Sequence, residues 1–428
     1  MLISILSFAG CITKGNDDNE VAENQDVVSY GTTGSNETVL PYSSYNRKTY
    51  VKPYWTGNIV YNENVMFVGA DDKVPLMYTA EEILSVRSYD LNTVYQEGVD
   101  YNYDKLTNRL TLTSGTRIKH FPFEWYYPTD AVVAQYGLQN GVANAQGLAY
   151  FDTNNPEVNR KRIIYSETLF NAEGYQLAIT YRHAGDNYIK TPAIDSTNFA
   201  SQLNAIKNKS KIKILFYGDS VTVGCNAGSI MNFAPYMANW ATMTYETLIS
   251  HYNISSKAEY NNLAVGGWNS LDGSTATVSG ESSTRFQQVL AYNPDIMFLG
   301  FGLNDINFDP ATHITNLDTI LTAVLNQNPN CIVILVGSYL PHPEVVWVNQ
   351  QQLKFPAQYP SLAASLERRY GHHVFFANVM PEHADILTRK RYYDGTSNNV
   401  NHPNDFICRL YAQTILYTLC GDYTADLY

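Results

Sequence analysis

An apolar, β-prone run from Ile212 to Tyr217 stops at Gly218 and delivers Asp219 and Ser220. No other feature constrains the chain as tightly. A near-continuous apolar run of this length before a glycine break is the pattern of a strand buried in a parallel sheet. The positions just past the carboxyl end of such a strand are where open α/β sheets bind ligands. Ser220 is therefore well placed to be a nucleophile. Gly-Asp-Ser also occurs in ordinary turns, so the reading depends on what the rest of the chain supplies.

From about 196 to 428 the chain alternates apolar strands with amphipathic stretches. Strands are expected at Ile212–Tyr217, Ala258–Leu263, Ile296–Gly300, Cys331–Gly337 and His373–Asn378. Helices are expected at Tyr236–Tyr252, Ser283–Tyr292, His313–Asn328 and Asp405–Leu419. A further helical region runs from Val346 to Tyr370 and is interrupted near Pro356 and Pro360. Five parallel strands with intervening helices predict a three-layer α/β/α domain. Residues 46–195 read differently. Short aromatic strands separated by Gly, Asn, Asp and Pro turns predict an all-β, sandwich-like domain. Glu97–Tyr101 and Arg109–Thr113 read as one hairpin. The aromatic run Phe121–Pro128 suits a sugar platform or packing against the second domain. Packing is favoured, because exposed aromatic patches are the less common case.

The net charge is −12 and there is no Lys/Arg run longer than three residues, which argues against nucleic acid as a partner. No apolar stretch is long enough to span a membrane as a helix. Met1–Cys11 is a short apolar run, then small residues, then a cysteine, and it resembles the end of a bacterial lipoprotein signal. That resemblance implies lipidation at Cys11, membrane attachment through it, and a secreted or cell-surface location. Residues 12–45 are polar and predict a flexible tether. The other cysteines, Cys225, Cys331, Cys408 and Cys420, form no Cys-x-x-Cys pair, so neither zinc nor thioredoxin chemistry is expected. Buried free thiols or a disulfide both remain open for them. His251, His342, His372, His373 and His383 have no metal-type spacing, and neither metal nor cofactor is expected. The 34 tyrosines suit a surface that meets carbohydrate, or plain β-propensity.

Three later segments give Ser220 its weight. Asn262–Asn269 follows the second strand and contains Gly266-Gly267-Trp268. Gly300–Asp305 follows the third and contains Asn304. Asn399–Asp405 precedes the last helix and contains His402. In a parallel sheet all four segments share one rim. This pattern resembles the SGNH hydrolases, also called the GDSL esterase/lipase family, whose markers Ser, Gly, Asn and His fall here on Ser220, Gly267, Asn304 and His402 in the expected order. The stretches Gly218–Asn226 and Asn401–Phe406 are similar to exported bacterial members that deacylate carbohydrates. The resemblance implies an acylated oligosaccharide or polysaccharide as substrate and an acetyl group as the acyl removed.

The physical reading is the same. Ester hydrolysis needs a nucleophile, a base and oxyanion donors. Ser220 attacks and His402 takes its proton. Ser220 N–H, Gly267 N–H and the Asn304 amide hold the oxyanion, with Asp219 fixing the turn through backbone amides. Trp268 either floors the acyl pocket or simply packs. Family members usually place Asp three residues before the histidine, where this chain has Asn399. Asn399 is therefore expected to orient His402, with Asp394 as a nearby acid. A lipase or thioesterase could use the same machinery. A glycan-binding protein with a degenerate site is the rival of another class, and it is disfavoured by the intact set of four markers.

Overall fold

The computed structural model describes residues 37–155, 157–166, 174–348 and 350–427. Nine strands lie in the first part of the described chain. They are β1 (Ile59–Met66), β2 (Val74–Pro75), β3 (Ala80–Ser88), β4 (Val94–Tyr95), β5 (Tyr101–Asp104), β6 (Arg109–Leu112), β7 (Leu148–Asp152), β8 (Arg162–Ser166) and β9 (Gln176–His183). They form three antiparallel sheets, β1-β9-β3-β4, β2-β6-β5 and β7-β8. The expected hairpin is β5–β6, with Tyr101 opposite Leu112 and Asp104 opposite Arg109. The antiparallel sheets are as expected, but the region is not all-β: Phe123–Tyr126 and Asp130–Tyr136 are helical. The apolar pieces Ile59–Tyr61 and Val65–Met66 belong to one strand, β1, with an irregularity between Val60 and Glu63. Asn62 sits there at φ 46°, a conformation that Asn tolerates better than most residues.

Five more strands, β10 (Ile212–Gly218), β11 (Ala258–Asn262), β12 (Ile296–Gly300), β13 (Ile332–Gly337) and β14 (Phe375–Asn378), form a parallel sheet in the order β11-β10-β12-β13-β14. The chain steps from β10 outward to β11, then crosses back to β12. The switch point therefore falls at the end of β10, where a ligand crevice opens in such sheets. Helices flank the sheet. Trp240–His251 starts later than expected because Asn239 is its cap, accepting from Thr242 N–H. Pro310–Gln327 starts earlier, with Asp309 as cap and Pro310 in the first turn, a position that needs no N–H. Of the region 346–370, only Tyr359–Tyr370 is α-helix, preceded by two short 3₁₀ turns. Helices Ser196–Ile206 and Met380–Leu387 also form, and Asp405–Cys420 is buried along its whole length.

The two regions share one hydrophobic core. Tyr50, Val65, Leu76 and Tyr181 belong to the same buried cluster as Phe216, Phe298, Phe406 and Ile415. Polar contacts cross the same boundary. Lys390 is buried and pairs with buried Glu63 at 2.7 Å, while Tyr181 OH donates to the other Glu63 oxygen at 2.6 Å. Arg409, inside the last helix, donates to the carbonyls of Tyr61 and Asn62. Removing one partner of such a buried pair typically costs about 3–5 kcal/mol, because the other charge is stranded. The aromatic run behaves as packing. Phe121, Tyr126 and Tyr127 are buried, and Tyr126 meets Tyr393 at 5.0 Å.

Cys11 and most of the expected tether lie outside the described residues. The part from Glu37 onward is not a free tether: Glu37 pairs with Lys52 at 2.5 Å, and Leu40 N–H donates to Tyr61 OH. Cys225, Cys331, Cys408 and Cys420 are buried and no disulfide joins them to one another, so the disulfide alternative falls among them. Burial pushes the thiols of Cys331, Cys408 and Cys420 well up. Among the described residues no helix is long and apolar enough to cross a membrane, and no group of three or more His, Cys, Asp or Glu could hold a metal ion.

Candidate active site

The serine side grows from the end of β10. Gly218 pairs with Gly300 across the parallel ladder. A Cβ on Gly218 would sit 2.1 Å from the Gly300 carbonyl oxygen, so only glycine lets the strands close here. Asp219 then caps the short helix Ser220–Val223, accepting from Val221 N–H at 3.0 Å. Its other oxygen accepts from Leu303 N–H at 3.3 Å. That ties the nucleophile turn to the loop after β12, which is the turn-fixing role expected of Asp219. Burial pushes the Asp219 carboxyl up to about 7. Ser220 is 2% exposed.

The histidine side is a closed turn. Thr396 and Pro403 bridge its base, Ser397 N–H donates to His402 O, and Asn404 N–H donates to Gly395 O. Inside it, Asn398 Oδ1 accepts from the N–H groups of Val400, Asn401 and His402. This turn brings His402, 1% exposed, against the serine. His402 Nε2 lies 3.0 Å from Ser220 Oγ. The two residues are 182 apart in sequence, and this is the contact a nucleophile and its base require.

The group at the other imidazole nitrogen differs from expectation. His402 Nδ1 lies 2.6 Å from Asn226 Oδ1. Asn226 follows the nucleophile by six residues, on the same loop. Asn399 stands at φ 69° and its amide nitrogen donates to Ile164 O at 3.2 Å, so it fastens the turn to β8 while Asn226 faces the ring. Asp394 is also committed elsewhere. It accepts from Met66 N–H at 3.1 Å and pairs with Arg391 at 3.0 Å. Burial alone would raise its carboxyl, but Arg391 and Lys390 hold it below the usual range.

Gly267 and Asn304 lie on the loops that follow the two neighbouring strands, Ala258–Asn262 and Ile296–Gly300. Gly267 has φ 79°, a left-handed conformation that L side chains resist. Val265 N–H donates to Gly218 O at 3.0 Å, so this loop continues alongside the nucleophile strand. The Asn304 amide donates to Trp268 O at 3.0 Å, joining the loops after β11 and β12. The Trp268 side chain is half-buried and packs on the cluster formed by Leu215, Leu299 and Leu335. The structure thus brings Ser220, His402, Asn304 and the Gly267–Trp268 loop to one rim of the sheet.

Two residues of this rim escaped the sequence reading. Asn226 lies inside the Gly218–Asn226 motif but carried no role there. Asp405 accepts from Gly228 N–H at 3.2 Å, so it pins the nucleophile loop to the helix that follows His402. Burial pushes the Asp405 carboxyl up to about 7. Asn226 is set off in the sequence only by standing two residues after Gly224. Nothing in sequence points Asp405 toward Gly228.

Residues 216–407 match the family model described as the GDSL-like Lipase/Acylhydrolase family. No curated protein matches the chain. Several solved structures do. One is a carbohydrate esterase family 3 protein from Talaromyces cellulolyticus, 16% identical, with 50% of this chain and 97% of that chain covered and a TM-score of 0.36. Another is a two-domain esterase active on acetylated mannans and co-crystallised with mannopentaose, 19% identical, covering 51% of this chain and 53% of that one, with a TM-score of 0.37. A third is the lipase/acylhydrolase from Enterococcus faecalis, 17% identical, covering 48% and 93%, with a TM-score of 0.33.

Proposed function

We propose that this chain, in which residues 216–407 form a GDSL-like lipase/acylhydrolase domain, is a serine esterase that removes acetyl groups from a glycan. The observation that carries the esterase half is the 3.0 Å contact between Ser220 Oγ and His402 Nε2. In this reading His402 Nε2 takes the Ser220 proton as Oγ attacks the ester carbonyl. The same nitrogen then protonates the leaving sugar alkoxide. Water, deprotonated by His402, releases the acyl group and restores the serine. Ser220 N–H, Gly267 N–H and the second N–H of the Asn304 amide hold the oxyanion. The first amide N–H, bonded to Trp268 O, keeps that donor in place.

The small acyl group is supported by how recessed the site is. Ser220 is 2% and His402 1% exposed, so a short acyl reaches the nucleophile with the least displacement of its surroundings. The glycan is supported by the similarity of the Gly218–Asn226 and Asn401–Phe406 stretches to carbohydrate deacylases and by a chain with 34 tyrosines. Export and lipidation at Cys11 belong to the same proposal.

Purified protein should hydrolyse acetyl esters, and Ser220→Ala and His402→Ala should each lower kcat by about 10⁴ while leaving the melting temperature unchanged. Retention of more than about a tenth of kcat in either variant contradicts the assignment. Octanoyl esters should be poor substrates. Octanoyl preference would turn the reading to a lipase.

A further inference from the structure

We propose that Asn226 is the residue that positions His402, so that the nucleophile's own loop holds the imidazole by both nitrogens; this rests on the esterase reading above. Ser220 and Asn226 are one rigid unit. Cys225 N–H donates to Ser220 O at 3.0 Å and Gly224 N–H donates to the same carbonyl at 3.1 Å. Gly224 and Asn226 both take positive φ, 85° and 67°, which reverses the chain and brings the Asn226 side chain back beside the nucleophile. His402 enters between them, with Ser220 Oγ on Nε2 and Asn226 Oδ1 on Nδ1.

The chemistry requires this sense of the amide. With Oδ1 inward, Nδ1 carries the proton and Nε2 is left to accept from Ser220. A reversed amide would donate to Nδ1, move the proton to Nε2 and leave the serine without a base, the defect that costs about 10⁴ when a protease Asp becomes Asn. Asn226 Nδ2 has no hydrogen-bond partner among the described residues. The imidazole therefore sets the sense of the amide: a proton on Nδ1 draws Oδ1 inward.

Asn226 is neutral, so it orients the ring without the pull that a carboxylate exerts on the imidazolium. An opposite charge within about 4–6 Å raises the pKa of a histidine, and Asn226 omits that rise. Asn226→Asp would supply that charge, so the two side chains should differ in the pH at which His402 stops acting as a base. Asp219 faces His402 from the β10 turn and is itself pushed up to about 7 by burial. Asp405, three residues along, is pushed up in the same way.

The test is the pH profile of kcat/KM for wild type, Asn226→Ala and Asn226→Asp, because both variants retain Asp219 and Asp405 as common background. Asn226→Ala should lower kcat about 10–100-fold with KM changed less than about twofold. Asn226→Asp should keep at least about a tenth of the activity and move the acidic limb up by about one pH unit. A downfield imidazole Nδ1–H resonance should be present in wild type and Asn226→Asp and absent in Asn226→Ala. If Asn226→Ala misfolds, which its positive φ could cause, the Asn226→Asp profile decides alone, since Asp accepts that backbone conformation. An unmoved limb in folded Asn226→Asp overturns the proposal. So does a folded Asn226→Ala with wild-type kcat. Either result alongside inactive Ser220→Ala and His402→Ala leaves the esterase reading standing and removes only the role of Asn226.

Discussion

The two halves of the candidate site are built by different parts of the chain. The serine side is a product of the parallel sheet. Gly218 sits against Gly300, Thr222 Oγ1 donates to Gly300 O at 3.0 Å, and Asn262 Nδ2 donates to Thr222 O at 2.8 Å. The histidine side leans on the antiparallel region. Gln176 of β9 donates to Thr396 O at 2.7 Å and accepts from Asn404 at 3.1 Å, so it grips both ends of the His402 turn. Asn64 of β1 accepts from Phe406 N–H at 3.1 Å, and Ile164 of β8 accepts from Asn399. The antiparallel region is thus part of what holds the His402 turn in place.

The serine side should be the more sensitive to a single deletion. In the proposed mechanism Asn304→Ala removes an oxyanion donor and should lower kcat about 10²–10³-fold, roughly 2.7–4 kcal/mol, with the melting temperature little changed. Steady-state kinetics on an acetyl ester checks this, and a loss under about tenfold would take Asn304 out of the oxyanion hole. On the histidine side the expected effect is smaller and mixed. Gln176→Ala strands the Thr396 carbonyl and one N–H of the Asn404 amide, whose other bond to Asp394 O remains, at about 1–3 kcal/mol each. It should lower stability in denaturant melts and also lower kcat about tenfold, because the turn that carries His402 loosens. Lost stability with unchanged kcat would mean that the β-region merely packs.

The smallest effect tests both sides at once. Asp219 on the serine side and Asp405 on the histidine side are each held at about 7 by burial, against about 3.9 when unfolded. A raised folded pKa gives stability that is fully present below the unfolded value and is lost as pH rises through 7. Each carboxyl should cost about 2 kcal/mol between pH 5.5 and 7.5. His342 and His383 are held down to about 3 by burial. They act in the opposite sense below about 6.5, where the unfolded histidines gain protons. The measurement is therefore the difference in unfolding free energy between wild type and Asp405→Asn across that range. A flat difference contradicts the protonated state of Asp405.

The same asymmetry governs what the sequence reveals. The serine side was legible because strand, glycine break and nucleophile are contiguous, and a parallel sheet needs continuous apolar runs such as Ile296–Leu299 and Ile332–Val336. The α/β/α layering and the segments bearing Gly267, Asn304 and His402 followed from those runs. The partner of Nδ1 did not follow. Spacing within the histidine segment pointed to Asn399, but Asn398 organises that turn and leaves Asn399 at φ 69°, bonded to β8. Asn226 reaches the ring across 176 residues, a distance at which sequence pattern carries no signal. Gln176 and Asn64 were hidden for the same reason: polar residues on β-strands look like solvent-facing positions until a second region buries them. The continuity of β1 is hidden differently, since polar Asn62 and Glu63 interrupt its apolar pattern but are buried against Thr180 and Lys390.

The shared core also bears on how the molecule is assembled. Asn64 accepts from Phe406 across 342 residues, and Arg409 reaches Tyr61 across 348. Closing loops of that size has to precede the contacts that reward it, and such topologies fold slowly. During synthesis β1 emerges long before Asp405–Cys420, the helix it lies against. Until that helix arrives, strand and aromatic surface around Tyr50 and Tyr54 stay uncovered, an invitation to aggregation. A fragment beginning at the α/β region would meet the converse difficulty, presenting Lys390 and Arg409 without the carboxylate and carbonyls that receive them.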